Sequence, residues 1–124
     1  MKETPVVIIG AGPAGLSAAL YLKRAGISLC VLEKSAPGGK LLNLSEVSNY
    51  PGFSSIGGFE LAQSFVQSAQ SQGVETIAAE VVSVSYQADH FLAATRDENY
   101  EAKAVVVASG LANVPSIKGE KEHL

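Results

Sequence analysis

The stretch that decides the fold is PVVIIGAGPAGLSAALYLKRAGISLCVLE, residues 5–33. The apolar run 6–9 is β-branched and uncharged, which is typical of a parallel strand buried on both faces. A glycine-rich turn from Gly10 to Gly15 follows. Within it, Pro13 suits the first position of a helix, because its fixed φ fits there and its missing N–H needs no partner. The stretch therefore predicts a strand, a tight turn, a helix and a second strand.

Each glycine of the turn has a role that a side chain would prevent. Gly10 allows the tight turn, Gly12 lets the backbone approach a diphosphate, and Gly15 lets the helix pack closely on the sheet. The exposed N–H groups and the positive dipole end of the helix then point at the anion. Gly26 stands where a glycine commonly ends a helix. The pattern indicates a dinucleotide-binding βαβ unit.

Glu33 follows the second predicted strand, Ile27 to Leu32, and lies eighteen positions after Gly15. A carboxylate near this spacing accepts hydrogen bonds from an adenosine ribose and repels a 2′-phosphate. Strand, helix, terminal glycine and acidic residue are all in register, which favours a dinucleotide site over a structural glycine loop. We expect FAD or NAD here rather than NADP.

The composition fits one globular domain. The 124 residues are 47% hydrophobic and 17% charged, with a net charge of -3. The basic residues are scattered, whereas a nucleic-acid surface needs a basic patch. No apolar run approaches the ~20 residues of a membrane span. We expect a soluble cytoplasmic protein that binds neither nucleic acid nor membrane.

Catalytic and metal-binding side chains are not indicated. Cys30 is the only cysteine, so the chain holds no internal disulfide and no C-x-x-C pair. Its mid-strand position predicts a small buried hydrophobe. His90 and His123 stand among polar residues, and we expect both at the surface. We therefore predict no catalytic acid, base or nucleophile and no metal site.

Residues 34–58 are rich in Gly, Pro, Ser and Asn and predict a functional loop. Gly38-Gly39 follows the second strand, where ligands bind in open α/β sheets, and would let the chain lie against a flat ring. Lys40 is either a donor to such a ring or a solvated lysine. Asn49 lies in the turn 49–52. Its side-chain amide either hydrogen-bonds to the edge of such a ring or caps the turn.

The remaining chain predicts one helix and several short strands. The helix covers Gly58 to Gln72, with Gly73 ending it. Short strands are predicted at Val74–Ile77, Glu80–Tyr86, Phe91–Thr95 and Tyr100–Ala102, and this region is expected to form a three-stranded antiparallel meander. A buried strand, Ala104–Ala108, then leads to Ser109-Gly110.

With these pieces in place, the chain resembles the flavin-binding part of the thioredoxin reductase family of flavoproteins. The Asn-Tyr-Pro-Gly sequence at 49–52 is more specific than the glycine turn. The matching residues are the turn 10–15 with Pro-Ala inside it, Glu33, 38–41, Glu46 with 49–53, and 108–110.

The resemblance implies FAD as the cofactor. It places Glu33 at the adenosine ribose and the Val82 backbone at adenine, with the glycine turn at the diphosphate. It places Gly39, Lys40 and Asn49 along the isoalloxazine. Lys40 stands where the family commonly has Gln, and Ser109 where it has Thr. The implied cofactor-binding residues are Gly10, Gly12, Pro13, Ala14, Gly15, Glu33, Lys34, Gly39, Lys40, Asn49, Val82, Ser109 and Gly110.

The predicted architecture is an α/β, Rossmann-like FAD-binding domain over residues 1–124, with a central parallel sheet and an attached antiparallel meander. The resemblance implies that a final strand and helix, and an NADPH-binding domain carrying C-x-x-C, lie outside this chain. NAD(P)H would then act only through that domain. We expect the uncovered sheet edge to need a partner segment or a homodimer partner.

The function implied by the resemblance is electron transfer from NAD(P)H through FAD to a disulfide. The chain is thus an oxidoreductase by family. One alternative is a ferredoxin-NADP reductase or a thiol oxidase of similar design. The other is a truncated chain that binds nucleotide and catalyses nothing.

Overall fold

The computed structural model describes residues 1–110 and the backbone of residues 116 and 117. A mixed sheet carries two helices, which follow β1 and the loop after β2. In chain order the elements are β1 (Lys2–Ile9), α1 (Pro13–Arg24), β2 (Leu29–Glu33), a 3₁₀ helix (Gly39–Asn43), α2 (Gly58–Ser71), β3 (Thr76–Ala78), β4 (Val81–Gln87), β5 (His90–Thr95), β6 (Asn99–Val107) and β7 (Ser116–Ile117).

The strands form one sheet in the order β3-β2-β1-β6-β5-β4-β7. Parallel pairing joins β3, β2, β1 and β6, and antiparallel pairing joins β6, β5 and β4. A short parallel pair adds β7 beside β4. The predicted α/β class, with a parallel sheet and an attached meander, is confirmed.

One predicted boundary is wrong. The sequence predicts separate strands at Tyr100–Ala102 and Ala104–Ala108, but the structure has a single strand, β6. The cause is β1, which begins at Lys2 and pairs with β6 from Tyr100 to Val107. Because β5 pairs only with the first half of β6, one strand belongs to both the meander and the parallel sheet.

The strand β1 is buried on both faces, as its apolar run predicts. Val6 and Ile8 face the cluster beneath the two helices. Val7 and Ile9 face the opposite cluster, beneath the meander. This double burial fixes the carboxyl end of β1 at the centre of the molecule. The helix-side cluster adds Leu16, Ala19 and Ala69, and the meander-side cluster adds Val84, Ala93 and Tyr100.

The loop between β2 and α2 has more structure than its composition predicts. It contains the 3₁₀ helix, and Val47 and Ile56 form an isolated antiparallel bridge with N···O distances of 2.7 and 2.9 Å. A Cβ on Gly58, the first residue of α2, would meet the carbonyl oxygens of Leu41 and Leu44. The loop is therefore packed directly on α2.

The helix ends agree with the glycine signals. Gly26 and Gly73 follow α1 and α2 with φ of 80° and 84°, the left-handed conformation that glycine adopts easily.

Among the described residues, no helix is both long enough and apolar enough to cross a membrane.

Candidate cofactor site

A cleft of about 860 Å³ opens at the carboxyl ends of β1, β2 and β6. The chain leaves β1 for β2 on one side and returns to β6 on the other, and open α/β sheets bind ligands at such a switch point. Gly15 and Asn49 do not line the cleft. The predicted site residues that do line it are Gly10, Gly12, Pro13, Ala14, Glu33, Lys34, Gly39, Lys40, Val82, Ser109 and Gly110.

Two glycines of the turn are packed against the protein itself. A Cβ on Gly10 would meet the carbonyl oxygen of Ala108, and a Cβ on Gly15 would meet the carbonyl oxygen of Gly10. The φ of Gly10 is also 105°. These positions exclude side chains because backbone occupies the space.

Gly12 differs from both of them. Its φ of -82° suits any residue, and a Cβ there would come no closer than 3.6 Å to the Cα of Gly39. That Cβ would project between the glycine turn and the 3₁₀ helix. The missing side chain at Gly12 therefore leaves a narrow cradle in the cleft, as a bound diphosphate requires.

The donors of this cradle come from the start of α1. Leu16 is the first residue whose N–H bonds within the helix, to the Gly12 carbonyl at 3.0 Å. The N–H groups of Gly12, Ala14 and Gly15 precede it and belong to the helix N-terminus, where the dipole is positive. The first turn carries no acidic side chain. This arrangement suits an anion.

Glu33 holds the turn in place. Its Oε1 accepts the Ala11 N–H at 2.8 Å, and its Oε2 accepts the Ser35 N–H at 2.9 Å. The Gly10 N–H donates to the Leu32 carbonyl at 2.9 Å. A carboxylate has further lone pairs for ribose hydroxyls. Sequence reasoning missed this positioning role, because Ala11 and Glu33 are 22 residues apart and share no local pattern.

Gly38 and Gly39 have a packing role of their own. Their φ values are 126° and 64°. A Cβ on Gly38 would lie 2.9 Å from the Cβ of Ala62 in α2, and one on Gly39 would lie 3.0 Å from the Cα of Gly12. The Gly38 N–H also donates to the Ala11 carbonyl at 2.8 Å. Contact of these glycines with a flat ring stays a prediction.

Val82 lies at an irregularity in the sheet. Val81 pairs with Thr95 and Ser83 with Ala94, so Val82 has no register partner on β5. Its side chain is 44% exposed. A β-bulge of this kind re-aims the backbone beside a site. The irregularity lies at one end of the cleft, which Val82 lines, and sequence reasoning did not predict it.

Three charged side chains complete the lining near Glu33. The Lys34 ammonium lies 3.9 Å from a Glu80 carboxylate oxygen. Lys40 is exposed and, within the described part of the chain, has no carboxylate oxygen within 4.0 Å. At the opposite wall, the Ala108 N–H donates to the Ile9 carbonyl at 2.8 Å and so holds the segment that leads to Ser109.

Asn49 is exposed on the loop that the Val47–Ile56 bridge closes. The next residue, Tyr50, packs edge-on against Phe65 of α2, with ring centroids 5.9 Å apart. The contact fastens the loop to α2. The proposed contact of Asn49 with the ring stays a prediction.

Cys30 and His90, the Cys and His side chains within residues 1–110, lie outside the cleft lining, and His123 lies outside the described residues. Cys30 is half-buried in β2, and burial raises the pKa of its thiol. His90 lies 3.3 Å from a Glu101 carboxylate oxygen at the start of β5. Among the described residues, no group of His, Cys, Asp and Glu is arranged to hold a metal ion.

Comparison with known proteins agrees with this geometry. The profile of the pyridine nucleotide-disulphide oxidoreductase family matches residues 4–124. The thioredoxin reductase of Bacillus subtilis is 38% identical over 98% of this chain and 39% of its own length. The chain thus spans about two fifths of that curated relative.

Two of the solved structures that match this chain illustrate the shared fold. The thioredoxin reductase of Lactococcus lactis gives a TM-score of 0.83 at 36% identity, over 86% of this chain and 35% of that one. A ferredoxin-flavin thioredoxin reductase from Clostridium acetobutylicum gives a TM-score of 0.84 at 31% identity. That alignment covers 100% of this chain and 43% of the Clostridium chain. The chain belongs to the pyridine nucleotide-disulphide oxidoreductase family and corresponds to the N-terminal, FAD-binding part of its thioredoxin reductase-like members.

Proposed function

We propose that residues 1–124 act as one FAD-binding domain, and that in the complete protein electrons pass from NAD(P)H through the flavin to a disulfide. The observation that carries the first part is the open cradle at Gly12. Its backbone conformation does not require glycine, so the space itself is the reason for the missing side chain.

The residues of the cleft then take separate parts of the cofactor. The N–H groups of Gly12 and Ala14 hold the diphosphate, because they lie at the positive end of α1. Glu33 accepts the ribose hydroxyls while it keeps the turn in position. The backbone at the Val82 bulge binds the adenine edge, where one donor and one acceptor match the base.

The flavin, once bound, supplies hydride and electron transfer, and the protein supplies binding, orientation and electrostatic tuning. Nothing in the cleft lining offers a nucleophilic thiol, since Cys30 lies within β2. Because the chain spans about two fifths of its Bacillus subtilis relative, we assign the NAD(P)H site and the disulfide exchange to a segment or partner chain outside these residues. Disulfide reduction belongs where thiols are kept reduced, so we assign the protein to the cytoplasm.

A second electron donor is favoured by one comparison. The Clostridium acetobutylicum relative, which aligns over the whole of this chain, is a ferredoxin-flavin thioredoxin reductase. We propose ferredoxin as the alternative to NAD(P)H. Anaerobic reduction of the flavin in the complete protein separates the two donors, because only the true donor bleaches its visible band at a catalytic rate.

The first experiment is a visible absorption spectrum of the purified 124-residue chain, before and after addition of FAD and desalting. A retained flavin band at one FAD per chain is the expected result. A folded, monodisperse sample that keeps no flavin would instead favour the non-catalytic fragment. Circular dichroism of the same sample establishes whether it is folded.

A further inference from the structure

We propose that the ammonium group of Lys40 is the counter-ion of the diphosphate that the glycine-rich turn holds. This inference rests on the proposed function, because it requires a dinucleotide in the cleft. It gives Lys40 a different place from the flavin ring edge that the family resemblance implies.

The first argument is position. Gly39 lies against the turn, since a Cβ on it would come within 3.0 Å of the Cα of Gly12. The Gly38 N–H donates to the Ala11 carbonyl at 2.8 Å, so the start of the 3₁₀ helix is fixed on the turn. Lys40 is the next residue and lines the same cleft. Its side chain therefore starts beside the diphosphate cradle.

The second argument is charge. The ionisable residues of the cleft lining are Glu33, Lys34, Lys40 and Glu80, which sum to zero. A diphosphate adds two negative charges next to Glu33, whose Oε1 is only 2.8 Å from the Ala11 nitrogen of the turn. The helix dipole supplies about half a positive charge. Without a cation, the carboxylate and the diphosphate would repel each other.

The third argument is availability. Lys34 pairs with Glu80 at 3.9 Å. Lys40 has no carboxylate oxygen within 4.0 Å among the residues that the structure describes. Of the two cleft-lining cations in the described part of the chain, Lys40 is therefore the one that can approach an anion without leaving an ion pair described there.

The test compares ligands that share the diphosphate but differ in the flavin. FAD and ADP are titrated into the 124-residue chain at low and high salt, FAD by flavin fluorescence and ADP by calorimetry. Lys40→Gln removes the charge, and Lys40→Arg keeps it. Lys103→Gln is the matched control, because Lys103 is exposed on β6 and five residues before Ala108 of the cleft.

The expected result is that Lys40→Gln weakens FAD and ADP by the same factor, about tenfold at low salt, as befits one charge-assisted contact. The difference shrinks at high salt, because ions screen an exposed pair. Lys40→Arg and Lys103→Gln bind both ligands as the unchanged chain does. Lys40 is exposed, so the variants should keep the unchanged melting temperature.

Equal affinities in Lys40→Gln and the unchanged chain would overturn the inference. It would also be overturned if FAD affinity or flavin reduction potential changed while ADP affinity did not, since Lys40 would then act at the ring. If the unchanged chain binds ADP but not FAD, the proposed function fails. The ADP affinities of the Lys40 variants then still decide whether Lys40 is the counter-ion of the diphosphate. If it binds neither ligand, both fail.

Discussion

The glycine-rich turn and the hairpin turn between β4 and β5 both require unusual backbone angles, and the chain meets them differently. Gly10 has φ of 105°, and no side chain would fit because Ala108 fills the space. The hairpin instead places Ala88 and Asp89, both exposed, at φ of 49° and 70°. At Gly10, glycine is required by neighbouring atoms as well as by the backbone angle. At the hairpin only the backbone angle disfavours a side chain, by roughly 1–2 kcal/mol per residue.

The largest effect is expected from Gly15→Ala. The new methyl group would meet the Gly10 carbonyl oxygen, so either α1 or the turn must move. We expect a loss of about 3 kcal/mol or more of the free energy of unfolding. Urea denaturation followed by circular dichroism measures it. Gly26→Ala is the control, since a Cβ there meets nothing within 4 Å and only the φ of 80° is strained. Equal losses in the two variants would contradict the role of packing at Gly15.

Gly12→Ala separates binding from folding within the same turn. Its φ suits alanine and its methyl group meets only Gly39, no closer than 3.6 Å, so we expect the stability of the free chain to fall by less than about 1 kcal/mol. FAD affinity should fall at least about a hundredfold, or 2.7 kcal/mol, because the methyl group occupies the cradle. Flavin fluorescence titration measures this.

The control for Gly12→Ala is again Gly26→Ala, which should show the reverse pattern. It loses stability through its strained φ but keeps FAD affinity, because Gly26 lies at the far end of α1. If Gly12→Ala bound FAD as tightly as the unchanged chain, the diphosphate would not pass Gly12.

Glu33→Ala should affect both quantities, because the carboxylate holds the turn and, in the proposed function, accepts the ribose hydroxyls. Loss of the acceptor for the Ala11 and Ser35 N–H groups should cost about 1–3 kcal/mol of stability in the free chain. FAD binding should weaken by a further amount on the order of 1.5–3 kcal/mol. Urea denaturation without ligand and FAD titration measure the two terms separately.

Glu33→Gln is the companion variant, since its amide oxygen can still accept the Ala11 N–H. We expect it to recover most of the stability but less of the FAD affinity. Unchanged FAD affinity in Glu33→Ala would remove Glu33 from the ribose site, and unchanged stability would show that the bond to Ala11 is dispensable.

The regions that the sequence predicts well are those where local pattern and tertiary structure agree. The run 6–9, the turn and α1 are specified by residues close in the chain, and their buried faces follow from periodicity. That β6 is one strand rather than two could not be predicted, because this depends on its pairing with β1, about a hundred residues away. The bulge at Val82 likewise depends on the register with β5.

The candidate site divides in the same way. The positions of Gly12 and Glu33 follow from motif spacing, so both were predicted to face a ligand. The bond from Glu33 to Ala11 and the contact of Gly39 with Gly12 were not predicted, since each joins segments that meet only in the folded chain. Because Lys40 follows Gly39, the contact of Gly39 with Gly12 brings Lys40 close to the glycine-rich turn.

The smallest expected effect, and the one that tests the hairpin side of the comparison, is Ala88→Gly. Glycine adopts the φ of 49° without steric strain, although it gains entropy in the unfolded chain, so we expect a stabilisation of up to about 1 kcal/mol. Ala104→Gly is the control, because Ala104 is exposed in β6 with an ordinary strand φ and should be destabilised by roughly 0.5–1 kcal/mol. Thermal denaturation of both variants shows whether each substitution stabilises or destabilises the chain. A loss of stability in Ala88→Gly would mean that the hairpin angle is not strained, and the contrast with the glycine-rich turn would then rest on packing alone.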